Sequence, residues 1–288
     1  MIYLKDFYLP SEQTEYWMIC QKRNIHNSNY PLRIFPEKEL QTLHFEPITI
    51  LYGGNGSGKS TLLHVIAKKL NADCRNKNDF GDLFNQYVEQ CDFTLCDGRY
   101  NEAKLILSDD VFDYLLDLRA INSNVNRRKE LLGEQYHYYK SKKAIEFSSM
   151  AQYEDLKNKV DANRLTESKY IRSRLGNNNL HQESNGQTAL SFWQNEIKEN
   201  AIYLIDEPEN SLSAQNQLKL KQFIEESARF FNCQFIIATH SPFLLSLNEA
   251  KVYDLDVVPV TTKKWSELEN MKIYYEFFKE NKDKFEGD

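Results

Sequence analysis

The sequence predicts an α/β fold in which a mixed sheet carries a β-rich N-terminal part and an inserted helical lobe. An apolar segment at 45–52 leads into a glycine-rich stretch and then into an amphipathic helix. Two more apolar segments, 202–205 and 234–238, have the length and continuous hydrophobicity of strands buried in a parallel sheet. Residues 79–175 instead repeat apolar side chains at helical spacing. Strands and helices thus alternate around one long helical insertion.

The expected domain organisation follows from these patterns. We predict a nucleotide-binding α/β core formed by residues 1–78 and 188–288, and an inserted helical lobe formed by residues 79–187. A polar Gly-Asn-Asn-Asn segment at 176–179 marks the end of the lobe's helices. The tail, residues 266–285, is predicted to form an amphipathic helix.

Residues 53–60 read Gly-Gly-Asn-Gly-Ser-Gly-Lys-Ser and fit the pattern GxxxxGK[ST] of the P-loop. The glycines let successive backbone N–H groups face a phosphate, and the start of the next helix adds partial positive charge. In this pattern Lys59 reaches the β- and γ-phosphates, and the Ser60 hydroxyl ligates Mg²⁺. We therefore predict that the chain binds a nucleoside triphosphate, ATP, with Mg²⁺. The residues expected to contact it are Gly53, Gly54, Asn55, Gly56, Ser57, Gly58, Lys59, Ser60 and Thr61.

The apolar strand at 202–205 ends in two acidic residues, Asp206 and Glu207. Asp206 is placed to hold Mg²⁺, directly or through water, beside Ser60. Glu207 points differently and can act as general base toward an attacking water. An enzyme that hydrolyses the γ-phosphate of its bound ATP needs this second acid, whereas a kinase does not. The pair predicts ATP hydrolysis, with Lys59 also in a catalytic role.

The third strand ends at Thr239, His240 and Ser241. A lone histidine is usually structural, but His240 follows the carboxyl end of a buried strand, where ligands collect in open α/β sheets. We predict that it contacts the γ-phosphate and senses its presence.

A short polar turn, Ser184-Asn185-Gly186-Gln187, opens the amphipathic helix predicted from residue 188. Hydroxyl and N–H groups at a helix start can bind an anion. Ser184, Gly186 and Gln187 are therefore further candidates for nucleotide contact, on the strength of their position between the P-loop and the Asp-Glu strand.

In this order the four motifs resemble those of the ATP-binding-cassette (ABC) superfamily of P-loop ATPases. The stretches 206–212 and 239–242 are closer to its soluble branch, which includes chromosome-maintenance and break-repair ATPases, OLD-type proteins and small bacterial AAA-type ATPases. The likeness covers essentially the whole chain. It implies a head-to-tail homodimer around two ATPs, in which Ser184 and Gly186 act in trans and residues 211–213 cross the interface.

The resemblance also implies a molecular switch that drives a separate partner protein, in DNA maintenance or in defence against mobile elements. The sequence departs from the family at Ser213-Ala214, where transporters have an aspartate and the soluble branch often has His-Pro. The family's glutamine after the first lobe has no clear match, since Gln86 and Gln90 lie on a helix-like segment. The alternatives are the ATPase subunit of a membrane transporter and a nucleotide-dependent scaffold with little turnover.

The distribution of charge bears on whether the chain binds nucleic acid. The formal net charge of −6 disfavours unspecific nucleic-acid binding by the whole surface. Residues 127–174, however, hold twelve Lys/Arg against seven Asp/Glu, with interleaved tyrosines. This stretch is either an ordinary solvated helical face or a nucleic-acid or partner contact.

The remaining composition bears on localisation and on the nucleotide base. No run of about 18 apolar residues is present, so no membrane association is expected. Five cysteines without CxxC spacing indicate reduced thiols and a cytoplasmic location. Tyr3, Phe7 and Tyr52 could stack on the base, although a core role fits each of them better.

Overall fold

The computed structural model describes residues 1–21, 29–75, 80–96, 98–142, 153–175, 185–210 and 212–286. The chain divides into two compact units. The first consists of Met1–Phe112 with Asn185–Asp288, and the second of Asp113–Ser184. The helical unit therefore starts later in the chain than the predicted lobe, because the segment 82–106 contributes one helix and two strands to the first unit.

A seven-stranded sheet organises the first unit, in the order β10-β9-β3-β8-β7-β6-β4. Every described neighbour pair is parallel except β10 with β9. A second sheet, β2-β1-β5, is antiparallel. The predicted α/β fold with a mixed sheet is confirmed. The strands are β1 Leu4–Tyr8, β2 Thr42–His44, β3 Ile48–Tyr52, β4 Asp73–Cys74, β5 Asp92–Leu95, β6 Glu102–Ile106, β7 Ala201–Asp206, β8 Gln234–Ala238, β9 Lys251–Asp254 and β10 Thr261–Lys263.

Helices cover the sheet. The helix after the glycine-rich loop buries Leu62, Leu63, Val65 and Ile66 at the spacing of one helical face, as the sequence predicts. The helices are α1 Glu12–Gln21, α2 Lys59–Lys69, α3 Asp82–Gln90, α4 Ser108–Ser141, α5 Tyr153–Arg164, α6 Glu167–Leu175, α7 Asn185–Glu196, α8 Ala214–Phe230, α9 Pro242–Leu245, α10 Glu269–Glu280 and α11 Lys282–Glu286, with 3₁₀ turns at Pro36–Lys38 and Trp265–Glu267.

The two sheets are joined by the side chain of Gln234, the first residue of β8. Its Oε1 accepts hydrogen bonds from the N–H groups of Tyr3 (2.9 Å) and Leu4 (2.8 Å), and its Nε2 donates to the Leu4 carbonyl (2.8 Å). Gln234 is fully buried. One amide thus satisfies three buried backbone groups from the second sheet, which water cannot reach.

The helical unit has a small core of its own, made by Tyr136, Ala162 and Tyr170. The Arg174 guanidinium lies 3.7 Å from the Tyr170 ring centroid and also bonds Asp161. Tyr136 and Tyr170 are therefore buried, and their rings cannot stack on nucleic-acid bases as the interleaved tyrosines suggested. Tyr138 is exposed.

The tail helix α10 is only partly packed. Leu268 just before it and Met271 within it are buried, whereas Ile273, Tyr274, Phe277 and Phe278 are exposed. None of the described helices combines the length and the apolar character that crossing a bilayer requires. All five cysteines lie in described segments and carry free thiols.

We expect Gln234→Leu to destabilise the protein by at least about 3 kcal/mol, because it leaves three buried backbone groups unpaired and each costs about 1–3 kcal/mol. Urea unfolding of the full chain measures this loss. Gln222→Leu is the matched control, since Gln222 is exposed on α8, and should stay within about 0.5 kcal/mol of the unmodified protein. A loss below about 1 kcal/mol for Gln234→Leu would contradict the assigned role.

Candidate functional site

The glycine-rich loop follows β3 at the carboxyl edge of the large sheet, and its shape depends on two glycines. A Cβ built on Gly53 would stand 2.6 Å from Ser57 Oγ, so only glycine leaves room for that side chain. Gly58 has φ +96°, and a Cβ there would stand 2.9 Å from Ile34 Cγ2. Position 53 therefore requires glycine because a side chain has no room there. Position 58 requires glycine both for lack of room and for its backbone conformation.

Lys59, the first residue of α2, is buried with its ammonium inside the loop. Its Nζ donates to the carbonyl oxygens of Gly53 (2.7 Å) and Gly54 (3.0 Å). Burial lowers the pKa of Lys59, and the carboxylates of Glu207 and Asp206 offset part of this effect by favouring the charged form. The ammonium is thus held by acceptors that an incoming anion can replace.

Asp206 ends β7 close to Ser60. Its Oδ1 is buried and has no hydrogen-bond partner among the described residues. Burial raises the pKa of Asp206, while the Ser60 hydroxyl lowers it. A buried carboxylate with an unsatisfied oxygen is costly unless a cation lies against it, so the pair fits a divalent cation with oxygen ligands. Within the described residues no cluster of three or more His, Cys, Asp or Glu could hold a metal, and such a cation would need further ligands from phosphate or water.

Glu207 lies in the left-handed region, with φ +47°, which is uncommon outside glycine. Its N–H donates to the Ala238 carbonyl (2.9 Å), so this backbone is held by the neighbouring strand. Asn210 Nδ2 donates to Glu207 Oε2 (3.0 Å), and His240 Nε2 lies 3.7 Å from Glu207 Oε1. The structure therefore brings together two residues that the sequence predicted for the site, Glu207 and His240.

The turn that carries His240 is fastened by Glu209. Oε1 of Glu209 accepts the N–H groups of His240 (2.7 Å) and Ser241 (3.1 Å), and Oε2 accepts the Thr239 hydroxyl (2.8 Å). No hydrogen-bond partner among the described residues reaches His240 Nε2. The backbone of the turn therefore sets the position of the ring.

A cavity of about 370 Å³ lies against the loop. Most of the loop lines it, together with Glu207, Tyr30 and Ile34. Tyr30 donates from its hydroxyl to Thr61 Oγ1 (3.1 Å). Sequence reasoning missed Tyr30, because it lies 31 residues before Thr61 in an irregular segment. The loop residues that line the cavity are Asn55, Gly56, Ser57, Gly58, Lys59, Ser60 and Thr61.

Two other placements bear on the candidate residues. Gly54 N–H donates to both carboxylate oxygens of Asp256 (2.8 and 2.7 Å), a loop contact that sequence reasoning missed. Tyr3, Phe7 and Tyr52, considered for base stacking, are buried in the core with exposed fractions of 2% or less.

The signature turn is described only in part. Ser184 lies outside the described residues, as does Ser211 of the segment expected at a dimer interface. Gly186 and Gln187 fall in the first turn of α7, of which the backbone alone is described. Ser213 caps α8 by accepting from the Asn216 N–H (3.4 Å).

We expect Gly58→Ala to lose more stability than Gly56→Ala. Both glycines have positive φ, +96° and +79°, but a Cβ at Gly56 meets nothing within 4 Å. Gly56→Ala should cost about 1 kcal/mol from backbone strain alone, and Gly58→Ala about 1–2 kcal/mol more from the clash with Ile34. Chemical unfolding of the two variants, and of Gly58→Ala with Ile34→Ala, tests this. An excess that survives truncation of Ile34 would refute the steric explanation.

Residues 187–245 match the family model described as the AAA ATPase domain. The comparison with curated proteins gives no match. Among solved structures, the SMC head domain from Thermotoga maritima is similar, with 12% identity over 91% of this chain and 99% of that one and a TM-score of 0.39. A metal-chelate-type ABC transporter in an inward-facing conformation shows 16% identity over 79% of this chain and 76% of that one, with a TM-score of 0.36. The resemblance to an AAA-type ATPase is confirmed by the family match over residues 187–245.

Proposed function

We propose that the chain binds ATP with Mg²⁺ and hydrolyses it to ADP and phosphate. The observation that carries this proposal is the convergence of a buried lysine, a carboxylate with one buried unsatisfied oxygen and a Glu–His pair at one edge of the sheet, beside the glycine-rich loop. The family match to an AAA ATPase domain supports it, since residues 187–245 include the Asp-Glu strand and His240.

Binding of the triphosphate is the task of the loop and α2. Backbone N–H groups within residues 55–60 and the Lys59 ammonium bind the β- and γ-phosphates, except the N–H of Ser57, which donates to the Gly54 carbonyl (3.2 Å). Lys59 exchanges its bonds to loop carbonyls for bonds to phosphate oxygens. Ser60 and Asp206 would hold Mg²⁺, which would supply positive charge against the charge that develops on the phosphates. Gly54 belongs to the loop but has its N–H occupied by Asp256. The N–H groups that remain for phosphate therefore lie further along the loop.

Hydrolysis requires a base beside the γ-phosphate. Glu207 takes a proton from a water whose oxygen forms a bond to the γ-phosphorus, while the bond from that phosphorus to the β–γ bridging oxygen breaks and ADP leaves. Asn210 orients the Glu207 carboxylate, and His240 contacts the γ-phosphate from the neighbouring strand end.

ATP-dependent dimerisation belongs to the same proposal and rests on the motif order in the sequence. Ser184, Gly186 and Gln187 of one protomer complete the site of its partner, so that ATP binding closes the dimer and hydrolysis opens it. A separate effector protein reads this change. Nucleic-acid contact through 127–174 is the weaker part, because two of its tyrosines are buried and Arg174 is engaged with Asp161.

We expect Glu207→Gln to lower ATP turnover by at least about 100-fold while ATP still binds, because a general base contributes about 10²–10⁴-fold. Trapped ATP should double the solution mass, measured by light scattering on a sizing column with and without Mg-ATP. Glu280→Gln, an exposed charge change on α10, should show wild-type turnover and mass response. A Glu207→Gln mass that ignores ATP would remove the dimer from the proposal, and unchanged turnover would remove the assigned base.

A further inference from the structure

Glu209 has its carboxylate fully committed to one turn of the chain. Its two oxygens accept three hydrogen bonds, from the N–H groups of His240 and Ser241 and from the Thr239 hydroxyl, at 2.7, 3.1 and 2.8 Å. Bonds of this kind to an ionised acceptor are roughly twice as strong as neutral ones. Glu209 stands two residues after Glu207, so the segment after β7 is bound directly to the turn after β8.

A second residue, Gln217, also links these two parts of the chain. Gln217, on α8, accepts the Ser241 hydroxyl at Oε1 (2.7 Å) and donates from Nε2 to the Leu212 carbonyl (3.0 Å). Glu209 is thus bonded directly to the turn 239–241, and Leu212 is linked to the same turn through Gln217. Neither of these linked parts can shift alone without breaking part-buried hydrogen bonds.

The position of His240 depends on this fastening. Its Nε2 has no hydrogen-bond partner among the described residues and lies 3.7 Å from Glu207 Oε1. The ring is therefore located by its backbone, and the backbone N–H of His240 is held by Glu209. Glu209 therefore sets the spacing between the proposed base, Glu207, and the proposed sensor, His240. It does so through the backbone, without a hydrogen bond to either of these side chains.

We propose that Glu209 is a positioning residue that couples the His240 turn to the segment 208–212. A displacement of His240 on gain or loss of the γ-phosphate is passed through Glu209 to 208–212, and the Glu207–His240 spacing is maintained by the same link. This inference rests on the proposed ATPase function. Glu209 acts through its bonds to the backbone of the turn that carries His240.

A double-mutant cycle of Glu209→Ala with His240→Ala separates this role from a general loss of structure. Glu209→Ala should lower kcat by at least about 10-fold, with the ATP Kd within about 3-fold, because small misplacements of catalytic groups cost up to about 100-fold. In the His240→Ala background the same change should lower kcat by less than about 3-fold. Equal effects in both backgrounds, or no effect on kcat, would overturn the proposal.

Glu225→Ala is the matched control. Glu225 also accepts a backbone N–H, that of Asn248 (2.8 Å), on the same unit but away from the turn 239–241. It should lose less stability, because its single bond is exposed, and it should keep its kcat. Glu209→Gln should lie between the wild type and Glu209→Ala, because one amide oxygen can still accept the two N–H bonds while the second acceptor is lost.

Amide hydrogen exchange on the protein without nucleotide tests the link independently of turnover. Glu209→Ala should speed exchange at His240 and Ser241 and also within 208–212, whereas Glu225→Ala should leave both segments unchanged. If the wild type exchanges as expected but hydrolyses no ATP, the proposed function fails and the link stands. If exchange within 208–212 does not respond to Glu209→Ala, the coupling is wrong even in an active ATPase.

Discussion

The parallel pairing of β3, β8 and β7 is the constraint on which the candidate site depends. Ala238 of β8 is in register with Leu51 of β3 on one side and with Asp206 of β7 on the other. The three strands therefore end at the same level of the sheet. Because they are parallel, the segments that follow them, with the glycine-rich loop, Glu207 and His240, emerge at one edge. A slip of one residue would turn alternate side chains to the opposite face.

Three features of the candidate site are unfavourable for folding stability. Lys59 is buried, Asp206 leaves one buried oxygen unsatisfied, and Glu207 adopts a left-handed backbone conformation. Each of these features is destabilising by itself, by about 1–3 kcal/mol for an unpaired buried polar group. The surrounding strands hold them in place, since the Glu207 N–H continues the pairing with β8. Features of this kind concentrate where a protein binds or reacts.

Local patterns in the sequence predicted the parts of the fold that depend on neighbouring residues. The loop, its helix and the strands β7 and β8 have continuous signals of glycine spacing or buried apolar runs. Strands β5 and β6 fall in the region 79–175 that is predicted to be helical, because they have only four and five residues, too few for a strand pattern to stand out from the helical spacing around them. Both are strands because partners distant in sequence pair with them, β1 with β5 and β7 with β6.

The contacts missed in the site have the same cause. Asp256 bonds Gly54 across 202 positions of the chain, and Gln234 bonds Leu4 across 230. Glu209 belongs to the stretch 206–212 that carries the family resemblance, but its hydrogen-bond partners, Thr239 to Ser241, lie about 30 residues away in the chain. Hydrogen bonds over such separations depend on the packed fold, and a single sequence holds no periodic signal for them.

Anomalous diffraction from manganese tests the central claim most directly. Crystals grown with Mn²⁺ and a nonhydrolysable ATP analogue should show one strong peak at coordination distance, about 2.1 Å, from Ser60 Oγ and beside the Asp206 carboxylate. The phosphates should lie within the loop 53–60, against Lys59. Manganese at another place, or phosphates bound away from this loop, would contradict the account.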